Sequence, residues 1–325
     1  MSEPRSYHGQ PVLKDPTWTW EIPNYFYTGG LAGASAGLAY LSGLRGNDVL
    51  ARRSWATALC AITVNPPLLI SDLGRPLRFL NMLRMFKVTS PMSVGSWVLI
   101  GSGASTTVAA VAPLTGRLHP ASRVAQPIAA LLGLPLSTYT AALVANTAVP
   151  VWHEARGVLP ALFGSGAALS AGAAGVITTP PAHAGPARRL ALAAAASEIG
   201  TKRLMERRLG GHGEPYKDDA LGRIAETTIA AGAAVLALRG GRSRAAAVAA
   251  GALMSVGALA TRWSVYKAGF KSAGDPKYVV GPQRAAIERG ERPGAARKES
   301  HVRTPDPAKA TPAIAPDVRQ SLADA

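Results

Sequence analysis

The stretch from Val64 to Asn81 reads VNPPLLISDLGRPLRFLN: an apolar run, interrupted by Asn65-Pro66-Pro67, that closes on Asp72 and is followed by Arg75 and Arg78. In water this would be a helix end and a loop. At the edge of a hydrocarbon layer, ionisable side chains are costly and usually functional. A cap at a membrane surface is the plainer reading of Asp72 and Arg75, and the residues alone leave both open. Tyr139 poses the same choice deeper in a second apolar run, because a buried phenol needs a hydrogen-bond partner. That partner is either a neighbouring helix or a bound molecule. Asn146, His153 and Glu154 follow Tyr139; Asn24, Tyr25 and Tyr27 open an earlier run, and Glu226 lies near the start of a later one.

The elements that must position these groups are membrane helices. The 325 residues are 48% hydrophobic and 17% charged, against about a quarter charged in a soluble domain. The charges also fall between long uncharged runs and in a basic tail, the distribution of a polytopic membrane protein. The sequence predicts an all-α helical bundle of about eight transmembrane helices. The expected spans are Asn24–Leu44, Ser54–Ser71, Pro91–Ala112, Val124–Val149, Val158–Thr179, Arg189–Met205, Gly222–Leu238 and Ala245–Trp263. The first carries Gly29, Gly33 and Gly37 at four-residue spacing, a ridge that lets another helix approach. In the second, Asn65-Pro66-Pro67 predicts a break, since proline removes a donor and frees an upstream carbonyl. The sixth holds Glu198 and Lys202 and is either a buried crossing or a surface amphipathic helix. Three regions result: a polar segment at 1–22, the bundle at 23–265, and a basic, largely disordered tail at 266–325.

Eight crossings put both termini on one side. The loops on that side hold more Lys and Arg than the opposite loops, so the positive-inside rule predicts cytoplasmic termini and a multi-pass protein of the plasma (inner) membrane. With the helix directions fixed in this way, Asn24, Tyr25, Asp72, Tyr139, Glu154 and Glu226 all converge on the N-terminal side. Aromatic belts at the interfaces account for Trp18, Trp20, Tyr25, Trp152 and Trp263, whereas Tyr139 lies too deep for one.

Several classes of function are excluded at this level. The net charge of +16 comes with no basic stripe studded by aromatics, so no nucleic-acid partner is expected; 12 of the 35 Lys and Arg lie from Arg262 onward. None of His8, His119, His153, His183, His212 and His301 lies within a predicted span, so axial haem ligands inside the bundle are not expected. The lone Cys60 cannot hold an iron–sulfur centre and reads as inert packing. No phosphate-binding loop, serine-hydrolase elbow or zinc motif is present. Residues 1–22 are polar, and the apolar run after them is too long for a cleavable signal sequence.

The opening IPNYFYTGGLAGASAG, the segments SDLGRPLRFLNMLRMFKVTSPMSVGSW and STYTAALVANTAVPVWHEAR, and the late DPKYVVGPQR together resemble the NrfD family, the haem-free membrane subunits that include that of polysulfide reductase. The resemblance covers about residues 18–285 and is most specific at DLGRP and TSPMSVGSW. It implies a membrane subunit of a quinone-linked oxidoreductase of anaerobic respiration. Its partners would be an iron–sulfur (4Fe–4S ferredoxin-like) subunit and a catalytic subunit, often a molybdopterin enzyme. The cofactor would be menaquinone or another quinone, with no haem and no metal in this chain. By the same resemblance Tyr139 is the helix-4 tyrosine of the quinone pocket. Asn24 and Tyr25 stand where some members have a histidine, and Asp72 falls at the acidic position that suggests proton exchange. Tyr139 and Asn24 would hydrogen-bond the quinone oxygens, and Asp72 or Glu154 would accept a proton.

Two other readings compete. A proline-broken helix with intramembrane acids suits a secondary transporter, although no second Asn-Pro-Pro recurs in the other half of the chain. A passive anchor without quinone chemistry has the same sequence signature as the redox subunit.

Overall fold

A computed structural model describes residues 13–73, 75, 77–115, 119–217, 219–288 and 290 of the chain. Among them there is no strand, and eight long helices carry the architecture. We number them α1 (Glu21–Leu44), α2 (Asp48–Asp72), α3 (Pro91–Val111), α4 (His119–Ala145), α5 (Leu159–Thr178), α6 (Gly185–Leu209), α7 (Ala220–Arg239) and α8 (Arg244–Gly274). Six of these, all but α1 and α6, are long and apolar enough to cross a membrane on length and composition alone. The chain divides into two compact units, Met1–Tyr278 and Val279–Ala325. All eight long helices belong to the first.

The helices alternate in direction, as their contacts show. Thr28 meets Asn65 across α1 and α2 at one end, and Gly43 faces Ala51 at the other. Gly95 abuts Tyr139, whereas Ser122 reaches back to Ala109, so α3 and α4 are antiparallel. Along α5 and α6, Ser165 meets Thr201, Gly172 meets Ala191 and Gly175 meets Ala187. In α7 and α8, Gly232 faces Ala250 and Gly257 faces Ala225. The bundle therefore has an N-terminal end, where α1 begins and α2, α4, α6 and α8 finish, and an opposite end. The Tyr266 hydroxyl on α8 donates to the Trp18 carbonyl at 2.6 Å, which ties the two ends of the helical chain together.

The two helices that fail on composition are held by packing. In α1, Gly33 touches Gly133 of α4 so closely that a Cβ on either would lie 2.4 Å from the other's carbonyl oxygen. Small residues are what allow such approach in membranes; of the expected ridge, Gly33 makes the contact, and nothing lies within 4 Å of a Cβ placed on Gly37. The alternatives for α6 resolve in favour of the buried position. Its Ala187, Ala191, Ala194 and Ala195 are buried in a core with α5, α7 and α8. At about 1.5 Å per residue its 25 residues run about 37 Å, longer than the hydrocarbon thickness of about 30 Å.

Three boundaries differ from expectation. Helix α2 runs unbroken through Pro66 and Pro67. Asn65 is fully buried beside them and accepts from Thr28 Oγ1 at 2.5 Å, so tertiary contacts hold the helix where each proline omits one internal bond. Helix α4 stops at Ala145 rather than Val149. Val149 is extended (ψ 119°) before Pro150, as residues preceding proline usually are, and Pro150–Glu154 forms a short separate helix. Helix α8 continues past Trp263 to Gly274, and a further helix spans Lys277–Glu288, both within the stretch assigned to the tail. The continuation is driven by Trp152, which is fully buried, donates from Nε1 to the Val265 carbonyl at 2.7 Å and packs on Gly269. Cys60, expected among packed side chains, is exposed on the outside of α2.

Candidate functional site

At the N-terminal end, α1 and α4 each present one phenol to the other. The Tyr25 and Tyr139 hydroxyls hydrogen-bond together across the helix pair, with their rings edge to face and centroids 6.5 Å apart. Tyr25 is buried to 2% exposure. A Cβ on Gly95 of α3 would sit 2.1 Å from Tyr139 Cε2, so the ring keeps its place only because residue 95 has no side chain. Beside the pair lies a cavity of about 50 Å³, walled by Ile22, Phe26, Leu69, Met92 and Leu143, with Asp72 and Met82 at its edge. It has room for a water molecule.

Asp72 ends α2 against the start of α1. Its Oδ1 accepts from the Thr19 amide at 3.3 Å and from Thr19 Oγ1 at 3.1 Å. The carboxylate therefore does cap a neighbouring chain segment, and in the same position it borders the phenol cavity. Tyr25, Tyr139 and Asp72, singled out in the sequence, are brought together by three helices.

Asn24 and Glu154 are not. The Asn24 side-chain amide donates to the Trp20 carbonyl within α1 at 2.9 Å, and Asn24 does not line the cavity. Glu154 and His153 are exposed at the end of the Pro150–Glu154 helix. Glu226 faces away from the phenols, accepting from Arg203 Nε at 2.8 Å and lying 3.9 Å from Lys202 Nζ.

A second polar region went unassigned in the sequence. Glu198 and Lys202 of α6 and Arg262 of α8 are 1%, 7% and 2% exposed. Arg262 Nη2 donates to the Phe163 carbonyl at 2.7 Å, and its guanidinium carbon stands 4.1 Å above the Phe163 ring. Arg262 and Glu198 share the space that a side chain at Gly166 would fill: a Cβ there would lie 2.7 Å from Arg262 Nη2 and 3.2 Å from Glu198 Oε1. Lys202 Nζ donates to the Gly222 carbonyl at 2.7 Å and is 3.7 Å from Glu206. With Glu226 and Arg203, the carboxylates and cations of this cluster balance. Neither Glu198 oxygen, nor Arg262 Nη1, has a hydrogen-bond partner among the described residues. The signal was present in the sequence as charges inside a span; what it lacked was the partner, since Arg262 is distant in sequence.

A short surface group closes the N-terminal end. Lys277 Nζ lies 2.9 Å from Glu214. The hydrogen bond from Lys277 lowers the Glu214 carboxyl below its ordinary range, and Glu214 in turn raises the Lys277 ammonium.

The family model NrfD_2, polysulfide reductase, matches residues 6–204. The chain belongs to that family. No curated protein matches it. In this NrfD-family membrane protein the matched portion holds Tyr25, Asp72 and Tyr139, and also Glu198 and Lys202 of the charge cluster. Arg262, whose charge acts on Glu198, lies outside it.

Proposed function

We propose that the chain is the haem-free, quinone-reactive membrane subunit of a multi-subunit oxidoreductase, anchoring an iron–sulfur subunit at the N-terminal end of the bundle. The observation that carries this reading is the Tyr25–Tyr139 pair with Asp72 at the edge of its cavity. Two phenols aimed at one point can hydrogen-bond a polar ring oxygen, and the apolar walls suit the rest of a quinone. The cavity is too small for the ring as it stands. Opening requires the phenols to exchange each other for the ligand and Met82 and Leu73 to move outward. Both belong to the connection between α2 and α3, where Leu77, Met85, Phe86 and Val88 are largely exposed.

A bound quinol would supply two electrons and two protons. Tyr139 and Tyr25 orient one of its oxygens by donation, and Phe26, Leu69 and Met92 exclude water. Asp72 would take the two protons one after the other at the cavity edge and pass each to the adjacent surface, while the two electrons leave to the iron–sulfur partner; the Thr19 contacts of Asp72 hold the carboxylate there. The exposed apolar side chains of the α2–α3 connection, with Arg75, Arg84 and Lys87 among them, form a surface for the iron–sulfur partner beside the cavity. The charge bias of the loops supports a cytoplasmic position for this end. A catalytic subunit, in the manner of molybdopterin enzymes, completes the complex. The transporter alternative drew on a broken second helix, and α2 is continuous.

The test is photolabelling of the purified protein with an azido-quinone, followed by peptide mapping. Label on the starts of α1 and α3 and the end of α4, competed by unmodified menaquinone, is the expected result. Label confined to other segments, or not competed, would overturn the assignment.

A further inference from the structure

A second and larger cavity lies at the other end of the bundle and has no part in the reading above. It is a groove of about 630 Å³ between α1, α4, α5 and α6, within the roughly 300–1,000 Å³ of small-molecule sites. Its walls are almost wholly apolar, and Leu41 and Leu134 on its rim are 59% and 68% exposed. In a membrane bundle that rim faces lipid. The groove exists because Gly37 and Gly164 present no side chains to it.

The mouth is of opposite character. Arg45, just past α1, and Arg189, in the first turns of α6, both line it and are exposed. Among the described residues neither guanidinium has an ion pair or a hydrogen-bond partner. Pro186 at the same mouth opens α6, and the helix has no side-chain cap at Ala184, so the positive end of the α6 dipole also points there. Ser42, 3% exposed and in the groove wall, has a hydroxyl with no hydrogen-bond partner among the described residues. The Asn47 side-chain amide, by contrast, is used, donating to the His183 carbonyl at 2.8 Å.

We infer that this groove binds an anionic phospholipid, with its phosphate on Arg45, Arg189 and the α6 N-terminus and an acyl chain between α1 and α4. Charge complementarity selects this occupant. Guanidinium groups pair with phosphate through charge-assisted hydrogen bonds, and basic pockets between membrane helices are where anionic head groups dock. A quinone tail would use the apolar walls and leave both arginines and the helix terminus without a partner. The bound lipid would fill the space beside the Gly33–Gly133 contact and join α6 to α1.

The test uses the full-length protein, purified in detergent and delipidated, and follows retained lipid by native mass spectrometry and thermal unfolding on adding phosphatidylglycerol or phosphatidylcholine. Wild type should retain phosphatidylglycerol and be stabilised by it, with little response to phosphatidylcholine. Arg45→Gln with Arg189→Gln should weaken phosphatidylglycerol binding by roughly tenfold or more, the loss of charge-assisted bonds. Gly37→Leu, at a position with open space around it, should block the chain and abolish retention of phosphatidylglycerol. Equal response to the two lipids, retention of quinone in place of lipid, or unchanged phosphatidylglycerol binding in the double arginine variant would overturn the proposal. Should the double variant not fold, the wild-type lipid preference and its loss in Gly37→Leu decide alone. Neither result bears on quinone labelling at Tyr25 and Tyr139, which lie at the other end.

Discussion

Two of the places where the bundle buries polar groups are built on different principles. Around Tyr25 and Tyr139 the groups are neutral, few, and bordered by a cavity with an acid at its edge. Around Glu198, Lys202 and Arg262 they are charged, numerous and balanced, and they pack against Phe163 and the bare backbone of Gly166. Helix α1 separates the two: Tyr25 faces the phenol site, while Tyr27 lies within electrostatic reach of Arg262 and Glu198. A neutral pair can open at the cost of one hydrogen bond, whereas separating a desolvated ion cluster strands a charge. The first arrangement suits a site that admits a ligand. The second suits a joint that keeps α6, the helix poorest in apolar residues, inside the bundle.

That contrast can be broken from the charged side first. Arg262→Leu takes from buried Glu198 the cation that acts on it most, with Lys202 the remaining one; removing one partner of a buried charge pair costs about 3–5 kcal/mol in comparable cases. A large drop in the thermal unfolding temperature of the purified protein is expected, with much of it restored when Glu198→Gln is added. If Arg262→Leu instead assembles with normal stability and loses only quinol-linked turnover, the charged cluster is part of the reaction path and the division fails.

A smaller effect is expected at the phenol site. Gly95→Ala puts a methyl where the Tyr139 ring lies, an overpacking change worth about 1–3 kcal/mol. It should shift the phenol and reduce quinol-linked activity by more than the same substitution at Gly103 of α3, where the nearest atom to an added Cβ is 3.8 Å away. Equal effects at the two glycines would show that the position of Tyr139 is unimportant.

The smallest effect belongs to a charged pair that is not buried. Glu214 has a lowered carboxyl pKa beside Lys277, and both side chains are half-exposed. Its contribution to stability is present above the ordinary carboxylate range and disappears as pH falls through its lowered value. The raised ammonium of Lys277 contributes below the ordinary lysine range and loses its contribution as pH climbs through the raised value. Solvent screening keeps such pairs weak. Lys277→Ala should therefore leave unfolding at neutral pH almost unchanged and slightly flatten its fall in acid. A loss comparable to that of Arg262→Leu would mean that burial is not what separates the two kinds of ion pair.

Much of this architecture was legible in the sequence. Long apolar runs, with most charges between them, located seven of the long helices, because a membrane-spanning backbone must satisfy its own polar groups; α6 was placed as an Ala-rich run in spite of Glu198 and Lys202. Helix parity then placed Asp72, Tyr25 and Tyr139 at one end, as the structure does. What the sequence could not convey was lateral direction. Asn24 and Tyr25 are neighbours, yet only Tyr25 turns toward α4, while Asn24 bonds its own helix. Glu154 lies at the right end but on an exposed short helix created by Pro150. The prolines of α2 read as a break because their local cost is visible in sequence, whereas the Asn65–Thr28 contact that offsets it is not. Glu198 and Lys202 read as defects in a span for the same reason: the cation facing Glu198, Arg262, comes from α8, and the carbonyl and carboxylate facing Lys202, those of Gly222 and Glu226, come from α7.

The central claim is that the phenol pair holds a quinone, and Tyr139→Phe addresses it most directly. The substitution keeps the ring against Gly95 and removes one hydroxyl, a hydrogen bond worth about 0.5–1.5 kcal/mol. In the assembled complex, quinol-linked activity should require roughly two- to tenfold more quinol, while activity with an artificial dye that bypasses the membrane stays unchanged. Asp72→Asn in parallel should lower the maximal quinol-linked rate instead. Full quinol-linked activity in an assembled Tyr139→Phe complex, or an equal fall in both activities, would contradict the account.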